Sequence, residues 1–134
     1  MSSTLVDSKV LIDLWEDESE WKGWSSAMVT ECTRRGQLVI NPIVFAELSA
    51  GFSSYEDVDA LLPESFVRRE ALPWEAGFLA GRAFALYREL GGPRPSPLPD
   101  FYICAHAAVA GYSLLTRDPR RCRYYFPKLR FISP

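Results

Sequence analysis

At 134 residues and a formal charge of -2, the chain fits one domain, residues 1–134, and its overall charge gives no reason by itself to expect a nucleic-acid partner. Hydrophobic residues at 48% and charged residues at 24% are globular proportions, which excludes a disordered chain. No stretch approaches the ~20 apolar residues of a membrane span. The start, MSSTLVDSKV, has no basic region followed by an apolar run, so the expectation is a cytoplasmic protein with no membrane association.

In chain order, short apolar runs at Thr4 to Val6, Leu38 to Ile40, Glu70 to Leu72, Tyr112 to Thr116 and Leu129 to Ile132 are expected to be strands. Between them the pattern predicts helices over Val10 to Trp15, Ser19 to Arg35, Pro42 to Gly51, Tyr55 to Leu61, Trp74 to Leu90, Asp100 to Gly111 and Pro119 to Phe126. Asn41-Pro42 supplies an N-cap and a first-turn proline, and Gly36, Gly51, Gly91 and Gly111 stand where helices should stop. The alternation predicts an α/β fold with a parallel sheet. The stretch from Gly91 to Pro99, rich in proline, is read as a stiff loop inside the same domain. Cys32, Cys104 and Cys122 are odd in number and widely spaced, and are read as reduced thiols.

Ligands in open parallel sheets bind beyond the carboxyl ends of the strands. Asp7 directly follows the first strand, and Asp118 lies two residues past Thr116. Glu47 is five residues past Pro42, within about 8 Å of the second strand's end at ~1.5 Å per helical residue. Asp100 opens a helix of about 18 Å that runs back along a strand of about 17 Å, which returns Asp100 to the side of Asp118. Four carboxylates so placed repel one another unless a cation neutralises them, and hard oxygen ligands select Mg²⁺ or Mn²⁺. Such a cluster suits cleavage of phosphodiesters by metal-activated water.

The segments LVDSKVLIDL, NPIVFAELSAG, PLPDFYICAHAAVAGYSLLTRD and RDPRRCRYYFPKLRFISP resemble PIN-domain ribonucleases, in particular VapC-type toxins of bacterial toxin–antitoxin pairs. The resemblance spans nearly the whole chain. It implies a PIN-like three-layer sandwich with a five-stranded parallel sheet of order 3-2-1-4-5 flanked by helices. It also implies Mg²⁺- or Mn²⁺-dependent endoribonuclease activity on an RNA substrate, a homodimer, and a cognate antitoxin that inhibits by forming a heterotetramer or larger complex. Position by position, Asp7, Glu47, Asp100 and Asp118 become the acidic quartet, with Ser8 and Thr116 as polar support. Lys9 departs from the family's usual small polar residue.

Other readings stand beside this one. His106 lies roughly 240° around the helix from Asp100 and is read as structural, and Cys104 as an apolar filler. The basic run Arg117, Arg120, Arg121, Arg123, Lys128 and Arg130 is either a solvated face or a phosphate-holding surface. Trp15, Trp21 and Trp24 either pack inside or form part of a groove for an antitoxin or second subunit. Two rivals to the nuclease are a phosphotransfer domain with Asp7 as nucleophile and a non-catalytic RNA- or protein-binding PIN-like module. The first lacks the second acid two residues on, where Lys9 stands.

Overall fold

Parallel strands covered on both faces are apolar over nearly their whole length, and Thr4–Val6 and Leu38–Ile40 fit with every residue buried and Thr4 the one polar side chain. They form β1 and β2 in a computed structural model of the protein, which describes residues 2–134. The other strands are β3 (Val67–Arg69), β4 (Ser113–Leu115) and β5 (Phe131–Ile132), all parallel, in the order β3-β2-β1-β4-β5. The helices are α1 (Ser8–Trp15), α2 (Lys22–Arg35), α3 (Pro42–Ser49), α4 (Tyr55–Ala60), α5 (Trp74–Glu89), α6 (Pro99–Ala110) and α7 (Arg120–Tyr125). They flank the sheet as expected of an α/β fold of this order. Among the described residues no helix is long and apolar enough to cross a membrane.

Two predictions need correction. The third strand is Val67–Arg69, not Glu70 to Leu72. Val67 pairs with Leu38 and Arg69 with Ile40, and the ladder ends with the Glu70 amide donating to the Ile40 carbonyl. As an edge strand it buries only Val67, with Arg68 half-buried and Arg69 exposed, so its apolar signal is too thin to mark its position.

The second correction concerns cysteine. Cys104 and Cys122 are disulfide-bonded, with Cα atoms 6.0 Å apart, and only Cys32 is free. Cys122 is the one buried residue of α7 and meets Cys104 where α7 lies on α6, a juxtaposition that spacing along the chain does not reveal.

The sheet core gathers Leu5, Val6, Leu38, Val39, Ile40, Leu114 and Leu115 with Val10, Leu11, Val44 and Ile103 from the helices. A second cluster sits between α5 and α6, where Ala76, Ala80 and Ala83 at helical spacing leave room for the fully buried Phe101 ring. Gly111 ends α6 with φ 74°, the left-handed conformation that glycine adopts without a Cβ clash.

A buried polar frame joins α3, α6 and β3. The Asn41 side chain caps α3 by accepting from the Val44 amide at 3.0 Å, and its Nδ2 donates to His106 Nδ1 at 3.1 Å. That leaves His106 Nε2–H to donate to Glu70 Oε1 at 3.1 Å. Glu70 also accepts from Tyr112 and Arg68. Burial opposes its charge, but these hydrogen bonds outweigh burial and hold its carboxyl below the usual glutamate value. His106 is therefore structural, as the sequence indicated.

Reduction tests the bridge. It closes a sequence separation of 18 residues, for which cross-link entropy predicts a contribution of about 3 kcal/mol. The urea midpoint should fall when dithiothreitol is added; equal midpoints in both states would show that the bridge adds nothing to stability.

Candidate functional site

Asp7 stands where β1 becomes α1. Its amide donates to the Leu115 carbonyl at 2.9 Å, so the backbone stays on the sheet through this residue while the side chain sits at the carboxyl rim. From the β4 side, Thr116 Oγ1 donates to Asp7 Oδ2 at 2.9 Å and accepts from the Asp118 amide at 3.3 Å. From the other side, Ser8 Oγ donates to Glu47 Oε1 at 2.9 Å, reaching across to α3. Ser8 and Thr116, both buried, thus orient the two innermost acids.

Asp100 reaches the same rim from the first turn of α6. All four predicted acids line one cavity of about 550 Å³ together with Ser8, Lys9, Thr116, Arg120 and Arg121. The Cys104–Cys122 bridge also lies in its wall.

The acids differ electrostatically. Burial pushes the Asp7 carboxyl above its ordinary value, and the charge of Asp100 adds to this against the Thr116 hydrogen bond. Glu47 is raised for the same reasons, burial first, then repulsion from Asp7 and Asp100. Asp118 is exposed and lies at about 2, because Arg120 grips it through side chain and backbone. The guanidinium is bidentate, at 2.9 and 2.8 Å. Asp100 meets a single nitrogen of Arg121 at 3.3 Å.

Among the described residues no three His, Cys, Asp or Glu side chains converge closely enough to hold an ion as they stand. Asp118 and Asp100 are engaged instead by Arg120 and Arg121 of α7. The donor set nevertheless fits a hard divalent cation. The acids and the buried hydroxyls of Ser8 and Thr116 offer it hard oxygen ligands, and Asp7 and Glu47 are raised first by burial and then by the charge of neighbouring acids, a cost that a cation would offset.

The basic run divides. Arg120 and Arg121 face the cavity. Arg117 turns inward instead: its Nε lies 3.5 Å from buried Asp13, and its guanidinium covers the Trp21 ring at 5.4 Å. Arg123 lies over Phe131, and Arg130 donates to the Gly111 carbonyl. Sequence reasoning missed the Asp13 anchor, which also accepts from Ser19 and Ser25. Its signal was an aspartate on the otherwise apolar face of α1.

The raised acids set a pH dependence. Asp7 and Glu47 hold protons more tightly in the fold than in the unfolded chain, so their contribution to stability is full below about pH 4 and is lost as pH rises through their folded values. Without metal, Asp7→Asn should therefore raise the melting temperature at pH 7 and have little effect near pH 4. A variant no more stable than wild type at pH 7 would contradict an Asp7 carboxyl raised by burial and by the Asp100 charge.

Residues 4–127 match the PIN domain family. A search of curated protein sequences finds no significant relative. Among solved structures, VapBC2 from Rickettsia felis, bound to a DNA fragment from its promoter, superposes with a TM-score of 0.74 at 15% identity, covering 98% of each chain. VapBC-1 from nontypeable Haemophilus influenzae gives 0.71 at 18% identity, over 98% of this chain and 97% of that one. VapC20 from Mycobacterium tuberculosis, a Sarcin-Ricin loop cleaving toxin, gives 0.66 at 14% identity, over 95% and 98%. With the sheet order, the acids at its rim and a family match over residues 4–127, the chain belongs to the PIN domain family.

Proposed function

We propose that this chain is a single PIN domain acting as a metal-dependent endoribonuclease, the toxin of a type II toxin–antitoxin module in the cytoplasm. The observation that carries the reading is one cavity lined by Asp7, Glu47, Asp100 and Asp118 with the cations Lys9, Arg120 and Arg121 beside them. Asp7, Glu47 and Asp100 would hold Mg²⁺ or Mn²⁺, with Asp118 completing the set. When bound, the ion supplies an acidified water and neutralises charge on the phosphate. The chain's own groups do the rest. Ser8 and Thr116 fix the carboxylates, and Lys9 with the α7 arginines holds phosphate oxygens. In a reducing cytoplasm Cys104 and Cys122 would be adjacent thiols, since disulfides are rare there.

The solved neighbours from Rickettsia felis and Haemophilus influenzae are VapBC assemblies, which supports an antitoxin partner here. We assign it to the α1–α2 surface. There Trp15, Trp21 and Trp24 are half-buried beside the exposed acids Glu16, Asp17 and Glu18, a match for an antitoxin segment with apolar and basic side chains. A second copy is assigned to α5, where Trp74 is 93% and Phe78 67% exposed. Gly77 and Gly81 leave open space beside these rings, so the same surface offers knobs and hollows to its symmetry mate. The antitoxin would join such dimers into a heterotetramer or larger complex. Trp74→Glu with Phe78→Glu should sediment as a monomer; an unchanged sedimentation coefficient would remove α5 as the interface.

RNA cleavage in Mg²⁺ or Mn²⁺ tests the function. Asp7→Asn and Asp100→Asn should each lose at least ~100-fold in rate, the scale of removing one preorganised electrostatic group. Equal activity in all three proteins would reject the mechanism. RNA binding without cleavage, indifferent to metal, would favour a non-catalytic binding module instead.

A further inference from the structure

We infer that Arg121 is an exchangeable counter-ion, which pairs with Asp100 while the acids lack a cation and is released to a substrate phosphate when a divalent ion takes that carboxylate. This rests on the reading of the acids as a metal site and adds to it a coupling between metal loading and the phosphate contact of Arg121.

The two arginines of α7 engage their acids in different ways. Arg120 holds Asp118 through both guanidinium nitrogens, at 2.9 and 2.8 Å, and through its amide at 3.1 Å. Arg121 offers Asp100 one nitrogen at 3.3 Å, and both side chains are about half exposed, at 51% and 47%. An exposed, single-contact pair of this kind is weak and readily exchanged. A divalent ion carries twice the charge and would sit between acids that repel one another, so it outcompetes the guanidinium for Asp100.

Release does not remove Arg121 from the site. Its neighbour Cys122 is buried where α7 packs on α6, beside Cys104 one helical turn beyond Asp100, and the Cys122 sulfur lies 3.8 Å from the Asp100 carbonyl, a placement that holds whether the two sulfurs are bridged or reduced. The root of the side chain is thus fixed beside Asp100 whatever its guanidinium is doing. The freed fork stays on the cavity wall, where a phosphate approaching the acids would meet it, and a planar guanidinium suits a phosphate's paired oxygens. One residue then lowers the affinity of the empty site for metal and raises the affinity of the loaded site for RNA.

Opposite signs distinguish this from a structural role. Arg121→Gln should bind Mn²⁺ about two- to fivefold more tightly by calorimetry, the scale of an exposed ion pair lost. In the presence of Mn²⁺ it should bind a labelled, phosphorothioate-substituted single-stranded RNA several-fold more weakly, with the logarithmic salt slope reduced by about 0.7, one phosphate contact. Wild type should gain RNA affinity on adding Mn²⁺, and the variant should lose part of that gain. Mn²⁺ affinity unchanged or reduced in Arg121→Gln, or RNA affinity unchanged, would overturn the exchange. Wild type and Asp7→Asn that bind Mn²⁺ equally would instead overturn the metal site itself.

Discussion

Four carboxylates gathered at one rim of the sheet, two of them raised by burial and neighbouring charge, are the constraint around which this structure is organised. The strand order puts β1 between β2 and β4, so Asp7 occupies the middle of the rim. The elements that leave the neighbouring strands then bring acids in from either side, Glu47 on α3 and Asp118 after β4, while α6 returns Asp100 from below. Nothing in the packing of the core requires four acids there. Each neighbouring hydroxyl or cation answers the charge they create: Thr116 on Asp7, Ser8 on Glu47, Arg120 on Asp118 and Arg121 on Asp100.

Glu70 shows what a structural carboxylate looks like in the same molecule. It receives hydrogen bonds from His106, Tyr112 and Arg68 and is held below its ordinary value despite burial. Asp7 and Glu47 receive one short hydroxyl bond each and are pushed upward. A buried acid kept fully satisfied stabilises the fold, whereas one left short of partners stores repulsion that a cation can relieve. The Glu70 frame also serves the site at a distance. By tying Asn41 at the start of α3 to His106 in the middle of α6, it fixes the two helices that carry Glu47 and Asp100 relative to one another.

Which parts were legible in the sequence follows from how local their causes are. The central strands were readable because burial on both faces forces continuous apolar runs, and Glu47 and Asp100 were placed by helix rise and strand length alone. The edge strand β3 was displaced because Val67 is its only buried residue, so the run Glu70 to Leu72 outweighed it in apolar content. The disulfide depends on α7 docking against α6, and the arginine–acid pairs depend on side-chain rotamers. Neither has a signature in spacing. Asp118 and Arg120 stand two residues apart in sequence, which permits a bidentate pair without announcing one.

That pair bears on how the acids rank as ligands. Asp118 accepts three hydrogen bonds from Arg120 and is ionised to about pH 2, so it does not need a cation to carry its charge. Asp7 and Glu47 are in the reverse position, half-buried and raised by burial and by neighbouring charge, and they would gain most from an ion. Asp100 lies between these cases, with one long contact to give up. A cation entering the cavity would therefore engage Asp7 and Glu47 first and recruit Asp100 at the expense of Arg121. It would reach Asp118 last, against a guanidinium that already fits. On this ordering the proposed metal site would rest on Asp7, Glu47 and Asp100, and the part left to Asp118 would be to hold Arg120 at the rim.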